Sequence, residues 1–215
     1  PGLLLPPLLH VEEDKNRIRI AVIAGAPCSG KSTLVKALRA TGFTCHGETA
    51  EELLLAGIAA GRTAEDMRKD PVAWQMGLME QDCALFQRLL ATRSGAGPHS
   101  HLAFTDTSFV ETVVFSRRAG VEISPRVARW LRETWKGRIT VFFLTPLPAA
   151  LYETTGVRME SGDVARQISE ECRAAYAEFG MEVVEVPPVS VAERVVLILQ
   201  KVGEQASTCG TCSRL

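Results

Sequence analysis

Apolar positions along this chain fall into a few short, nearly unbroken runs set among longer amphipathic stretches. Residues 18–24 (IRIAVIA) and 139–144 (ITVFFL) are dominated by apolar, β-branched and aromatic side chains. Such runs read as strands buried on both faces. Residues 101–106 and 181–186 read as two further strands, and 43–47 as a short one. The segments between them predict helices over 32–40, 49–60, 70–93, 124–136, 163–180 and 190 to about 202, with one more opened by Ser108.

The element ends carry their own signals. Thr41-Gly42 stops the first helix. Asp70-Pro71 supplies a capping residue followed by proline at the first helical position. Ser108 with Glu111 three residues on is a capping box. Glu51 and Glu52 complement the dipole of the helix they open. Residues 94–100 are rich in Gly, Pro and Ser and read as a loop, and 145–162 is irregular. Strands alternating with helices predict one α/β domain, a three-layer fold with a parallel sheet. The expected organisation is an N-terminal arm over 1–17, the domain over 18–203 and a flexible tail over 204–215.

The chain has 215 residues, 46% of them hydrophobic and 23% charged, with a formal net charge of −1. Near-neutral charge and 6% aromatic content argue against a nucleic-acid surface. No run approaches the ~18 apolar residues that would span a bilayer. Six cysteines, mostly in hydrophobic stretches, are too few for a disulfide scaffold and point to a reducing compartment.

The chemistry concentrates after the first strand, in Gly25-Ala26-Pro27-Cys28-Ser29-Gly30-Lys31-Ser32. This meets the pattern G-x-x-x-x-G-K-[S/T] in full, between a buried strand and a helix. The two glycines let the backbone wrap an anion, and the loop amides and helix N-terminus point positive charge inward. Lys31 would reach the β- and γ-phosphates, and Ser32 would ligate Mg²⁺. The expected ligand is a nucleoside triphosphate, MgATP, seated on Gly25 through Thr33. Cys28 within the loop reads as a tolerated small residue.

Three further positions fit such a site. Asp106 ends the third strand, where it would hold the Mg²⁺ shell or take the proton of an attacking hydroxyl, and Thr107 beside it would contact the acceptor. Glu48, after the second strand, would lie on the same rim, facing an acceptor or the metal shell. Arg158, in the irregular segment after the fourth strand, would close over the γ-phosphate, and Arg166 on the next helix would contact the nucleotide.

The loop, the segment FTDTSFVETVVF (104–115) and the stretch 141–199 resemble small P-loop ATPases with a kinase-like fold, many of them grouped under the AAA domain. The Asp106-Thr107 pair is also similar to that ending a strand in the nicotinamide-riboside kinase domain. Covering roughly residues 18–200, the resemblance implies a nucleoside-monophosphate-kinase-like sheet of order 2-3-1-4-5, ATP as donor and a lid carrying Arg158. In that group, the acid after the second strand is often followed three residues later by arginine. Here Glu48 is followed by Glu51, so an arginine that would hold an acidic acceptor is missing.

Smaller features are read more plainly. Arg126, Arg129, Arg132 and Lys136 form a solvated helical stripe. Trp74, Trp130 and Trp135 pack the core or its edge, with base stacking open for Trp74 alone. Cys209 and Cys212 have the spacing of half a zinc site, without a second pair nearby, and are read as no site. Ser213-Arg214-Leu215 resembles a peroxisomal address, the alternative to a cytoplasmic location. Three functions stay in play: phosphotransfer to a small hydroxyl acceptor such as a nucleoside or nucleotide, ATP hydrolysis or switching, and non-catalytic nucleotide binding. A monomer or homodimer without nucleic acid or membrane is expected in each.

Overall fold

The computed structural model describes residues 18–25, 29–97, 99–106, 108–123, 125–134, 139–145 and 162–211. Its strands are β1 (Arg19–Ala24), β2 (Thr44–His46), β3 (Leu102–Thr105), β4 (Ile139–Leu144) and β5 (Val183–Val186). They form one five-stranded sheet of order β2-β3-β1-β4-β5. Every pairing is parallel, with Ile20 beside Ala103 on one flank and Ile139 on the other. This is the expected order.

Alternation along β1 explains why both faces are covered. Ile20, Val22 and Ala24 face one hydrophobic cluster, while Ala21 and Ile23 face the other. The first cluster takes in α4 (Pro71–Ala91), α5 (Phe109–Arg118), α6 (Pro125–Thr134) and α7 (Gly162–Glu178). The second takes in α1 (Lys31–Ala40) and α8 (Val191–Thr211). A strand sandwiched between two helical layers has no solvent face, hence its continuous apolar run.

Two differences from expectation have local causes. Residues 64–68 form a short helix, α3 (Ala64–Arg68), capped by the Thr63 hydroxyl, which accepts from the Asp66 amide at 3.0 Å. It packs against α2 (Thr49–Ala59), where Gly57 leaves room for Met67. And α8 runs on to Thr211, well past about 202 and into the stretch expected to be a flexible tail. Gly203 does not end it, because the helix formers Glu204, Gln205 and Ala206 follow. Arg68 lies 6.0 Å over the Trp74 ring, and Trp130 packs on Phe109 at 5.2 Å in the core. Residues 212–215 and Trp135 lie outside the described residues. Among the described residues, no helix is long and apolar enough to cross a membrane.

Candidate active site

The C-terminal ends of β1 and β3 bring the predicted residues to one rim. Gly25 leaves β1 at φ 142°. A Cβ there would meet the Ser29 hydroxyl at 2.8 Å and the Leu144 carbonyl at 3.0 Å, so only glycine fits. Gly30 caps α1 at φ 91°, the left-handed turn that aims the helix N-terminus at the loop. Ala26, Pro27, Cys28, Thr107 and Arg158 lie outside the described residues.

Lys31 folds back over the loop, donating to the Gly25 carbonyl at 2.5 Å, with Glu111 Oε2 at 3.9 Å. Burial opposes its charge, but Glu111, Glu48 and Asp106 outweigh that and hold the ammonium above its ordinary value. Glu111 in turn accepts the Gly25 amide at 2.7 Å. The capping box is thus half formed. Ser108 accepts from the Glu111 amide at 3.4 Å, as expected, while the Glu111 carboxylate crosses to the phosphate loop. Ser108 is itself held by a short hydrogen bond with the Tyr176 hydroxyl of α7. Burial pushes the Glu111 carboxyl up to about 7, against Lys31 and the Gly25 amide, which pull it down.

Asp106 is 3% exposed, and its amide donates to the His46 carbonyl at 3.4 Å, tying the ends of β2 and β3 together. That tie puts Glu48 on the same rim. Burial, with Glu48 next, raises the Asp106 carboxyl to about 6, while Lys31 and Ser32 pull it down. Asp106 Oδ1 is buried without a hydrogen-bond partner, and the Ser32 hydroxyl lies beside the same carboxylate. Thr33 is exposed at the start of α1. Arg166 is exposed on α7 and pairs with Asp163 of its own helix.

Two buried charged side chains were not singled out by the sequence reading, and one of them touches the phosphate loop. Arg194, 3% exposed on α8, donates to the Ser29 carbonyl at 2.9 Å and to the Pro187 carbonyl at 3.1 Å. It clamps the phosphate loop to the β5–α8 turn, and its Nη2 has no hydrogen-bond partner. Asp82 of α4 is 1% exposed and accepts the Thr112 hydroxyl at 2.5 Å. Both break an apolar stripe: Arg194 shares a helix face with Ile198 and Val202, and Asp82 with Leu78 and Phe86. A charge on the buried face of a helix was the available signal.

Solved structures with this fold are diverse. The Bacillus subtilis YorR protein in complex with phosphorylated GDP superposes with a TM-score of 0.56 at 16% identity, over 87% of this chain and 98% of that one. Aquifex aeolicus shikimate kinase gives 0.51 at 17% identity, over 87% and 98%. The NadR protein in complex with NR gives 0.53 at 17% identity, over 78% of this chain and 45% of that one. These likenesses establish the P-loop kinase fold. No curated protein matches the sequence. A family model matches from the second residue of β1 to Arg194, residues 20–194, and the chain belongs to that family, the AAA domain.

Proposed function

We propose that this chain is a Mg²⁺-dependent phosphotransferase that moves the γ-phosphate of ATP to a hydroxyl of a small acceptor. The observation that carries this reading is the meeting of Lys31, Ser32 and Asp106 at the ends of β1 and β3, with one oxygen of Asp106 buried and unpartnered and the Ser32 hydroxyl beside that carboxylate. Two such oxygen donors suit Mg²⁺, a hard cation. Ser32 and Asp106 would hold it, and it would neutralise charge on the β- and γ-phosphates.

The chain's own residues then divide the work. The amides from Gly25 to Thr33 cradle the phosphates. Lys31 exchanges the Gly25 carbonyl for phosphate oxygens and follows the charge that builds on the leaving ADP. Asp106 orients the acceptor hydroxyl and takes its proton as the new O–P bond forms and the bond to ADP breaks. Glu48 and Thr107 contact the acceptor. Arg158 closes over the γ-phosphate and excludes water, and Arg166 lies on the nucleotide side. Fold neighbours support this reading: one is a shikimate kinase, and two hold a nucleotide or NR.

The test is ³¹P NMR of the protein with MgATP, alone and with a panel of nucleosides and sugars. ADP with a new phosphoester is expected. ADP with free phosphate for every compound means that water is the acceptor. Tight nucleotide binding without turnover makes the chain a binding module. Lys31→Ala is expected to lower turnover at least 100-fold, the order of loss for removing one fixed transition-state charge. Turnover at the original rate would refute the assignment of the loop.

A further inference from the structure

The first glycine of the phosphate loop is already engaged by a carboxylate from α5. Glu111 Oε1 accepts the Gly25 amide at 2.7 Å, and Oε2 lies 3.9 Å from the Lys31 ammonium. Lys31 itself donates to the Gly25 carbonyl at 2.5 Å, so carboxylate, lysine and loop backbone close one small circuit. Both side chains of the ion pair are only 11% exposed. The pair is largely cut off from water, and each charge depends on the other.

The packing holds Glu111 in place. The Ser108 hydroxyl accepts its amide at 3.4 Å, and the Tyr176 hydroxyl of α7 holds Ser108 in turn. Phe109, Val110 and Val113 of the same helix are fully buried, which fixes the first turns of α5 on the core. On the α7 side lie Cys172 and Tyr176, both kept protonated by burial. Glu48 and Asp106 act on Glu111 from the rim as like charges. None of these four can replace Lys31 as a counter-charge.

In the function proposed above, Lys31 turns to the nucleotide phosphates. That move leaves a buried carboxylate without its cation and beside a polyanion. A buried charge in that position is costly, and the group neutralises instead. Building on the nucleotide-binding part of that reading, we propose that Glu111 is a positioning residue that exchanges Lys31 for a proton. Each nucleotide bound brings one proton from solvent onto Glu111 Oε2, and its release returns the proton. Oε1 keeps the Gly25 amide in both states, since a protonated carboxyl retains an acceptor oxygen. The loop stays anchored to α5 while Lys31 is freed for the phosphates. Burial has already raised this carboxyl to about 7, so the proton is available near neutral pH.

The experiment is titration calorimetry of the protein with MgADP, which needs no turnover and whose phosphates are ionised at pH 8. It is run at pH 8 in Tris and in HEPES, whose different ionisation heats report the protons exchanged. Uptake of about one proton per nucleotide is expected, and the Kd should rise roughly five- to tenfold from pH 7.5 to 8.5. Glu111→Gln, its fold checked by thermal melting, should show no uptake and a Kd constant within about twofold over that range. A merely structural glutamate would give neither the uptake nor the slope. Difference infrared spectra of the wild type at pH 8 should gain a carboxylic-acid C=O band on binding, which decides the matter even where the variant does not fold. Tight binding without proton uptake overturns this proposal and keeps the nucleotide site. So does uptake that persists in a folded Glu111→Gln, or a wild type without the new band. Absence of MgADP binding in the wild type refutes the reading of the loop itself.

Discussion

Glu111 shows how one side chain serves two purposes in this fold. Its backbone lies in the first turn of α5, and its carboxylate accepts the Gly25 amide while facing Lys31. The two purposes separate by substitution. Glu111→Ala leaves a buried amide without an acceptor, so a loss of about 1–3 kcal/mol in stability is expected from chemical melts. Glu111→Gln keeps an acceptor oxygen and removes only the charge, so stability should fall by less than about 1 kcal/mol. ATP affinity, measured by titration calorimetry, should then rise several-fold, because Lys31 is no longer held by an opposite charge. Equal stability of the two variants would show that the Gly25 hydrogen bond contributes little.

Between elements, the phosphate loop is tied to α8 through Arg194. Its apolar stripe packs Ile198 and Val202 on the sheet face shared with α1, and Arg194 extends that stripe to the phosphate loop. Burial lowers the pKa of the Arg194 guanidinium, whose cost is offset by two carbonyl acceptors. Arg194→Met preserves the packing volume and removes the clamp. Nucleotide affinity, read with a fluorescent ADP analogue, should fall about tenfold, since bonds to a charged group are worth roughly 1.5–3 kcal/mol each and part is recovered by relaxation. The acceptor KM should stay within a factor of two or so. A tenfold change in the acceptor KM with nucleotide affinity intact would mean that α8 bears on the other half of the site.

The whole molecule carries a net cost of buried negative charge. Asp82 and Asp106 have carboxyls raised from 3.8 to about 6, and Glu111 from 4.5 to about 7, in each case first by burial. The folded state therefore holds protons that the unfolded state releases between those values. Their stabilising contribution is complete below about pH 4, falls as pH rises through 6 to 7, and is lost above. Asp82 alone accounts for about 2–3 kcal/mol of that slope. The nucleotide-free protein should therefore melt at a higher temperature at pH 5.5 than at pH 8. Asp82→Asn should narrow the gap and add about 1–2 kcal/mol at pH 8. A melting temperature that rises steadily from pH 5.5 to 8 would refute this account.

The parallel sheet was readable because buried strands leave unbroken runs, its strand order only through the family resemblance, and the loop because its pattern sits between a strand and a helix. Asp106 was readable from its place at a strand end. Asp82 and Arg194 were not, since a lone charge within a helix looks solvated until its neighbours on the same face are seen to be buried. The reach of Glu111 across to Gly25 is a contact between residues far apart in the chain, which local pattern does not encode. The short α3 and the length of α8 depend on packing and on a glycine that a helix tolerates, both weak signals in isolation.

The Glu111 carboxylate does at the loop what a phosphate would do: it accepts a loop amide and faces the lysine. The chain thus carries a tethered anion of its own. With no ligand present the Gly25 amide already has its acceptor and Lys31 its counter-charge, and any incoming anion must displace this internal rival. A small ion such as inorganic phosphate gains little by that exchange, whereas a triphosphate makes many contacts at once and wins it. On the proposed function, this resting contact would favour a long polyphosphate over a small anion before any contact with the base or the sugar.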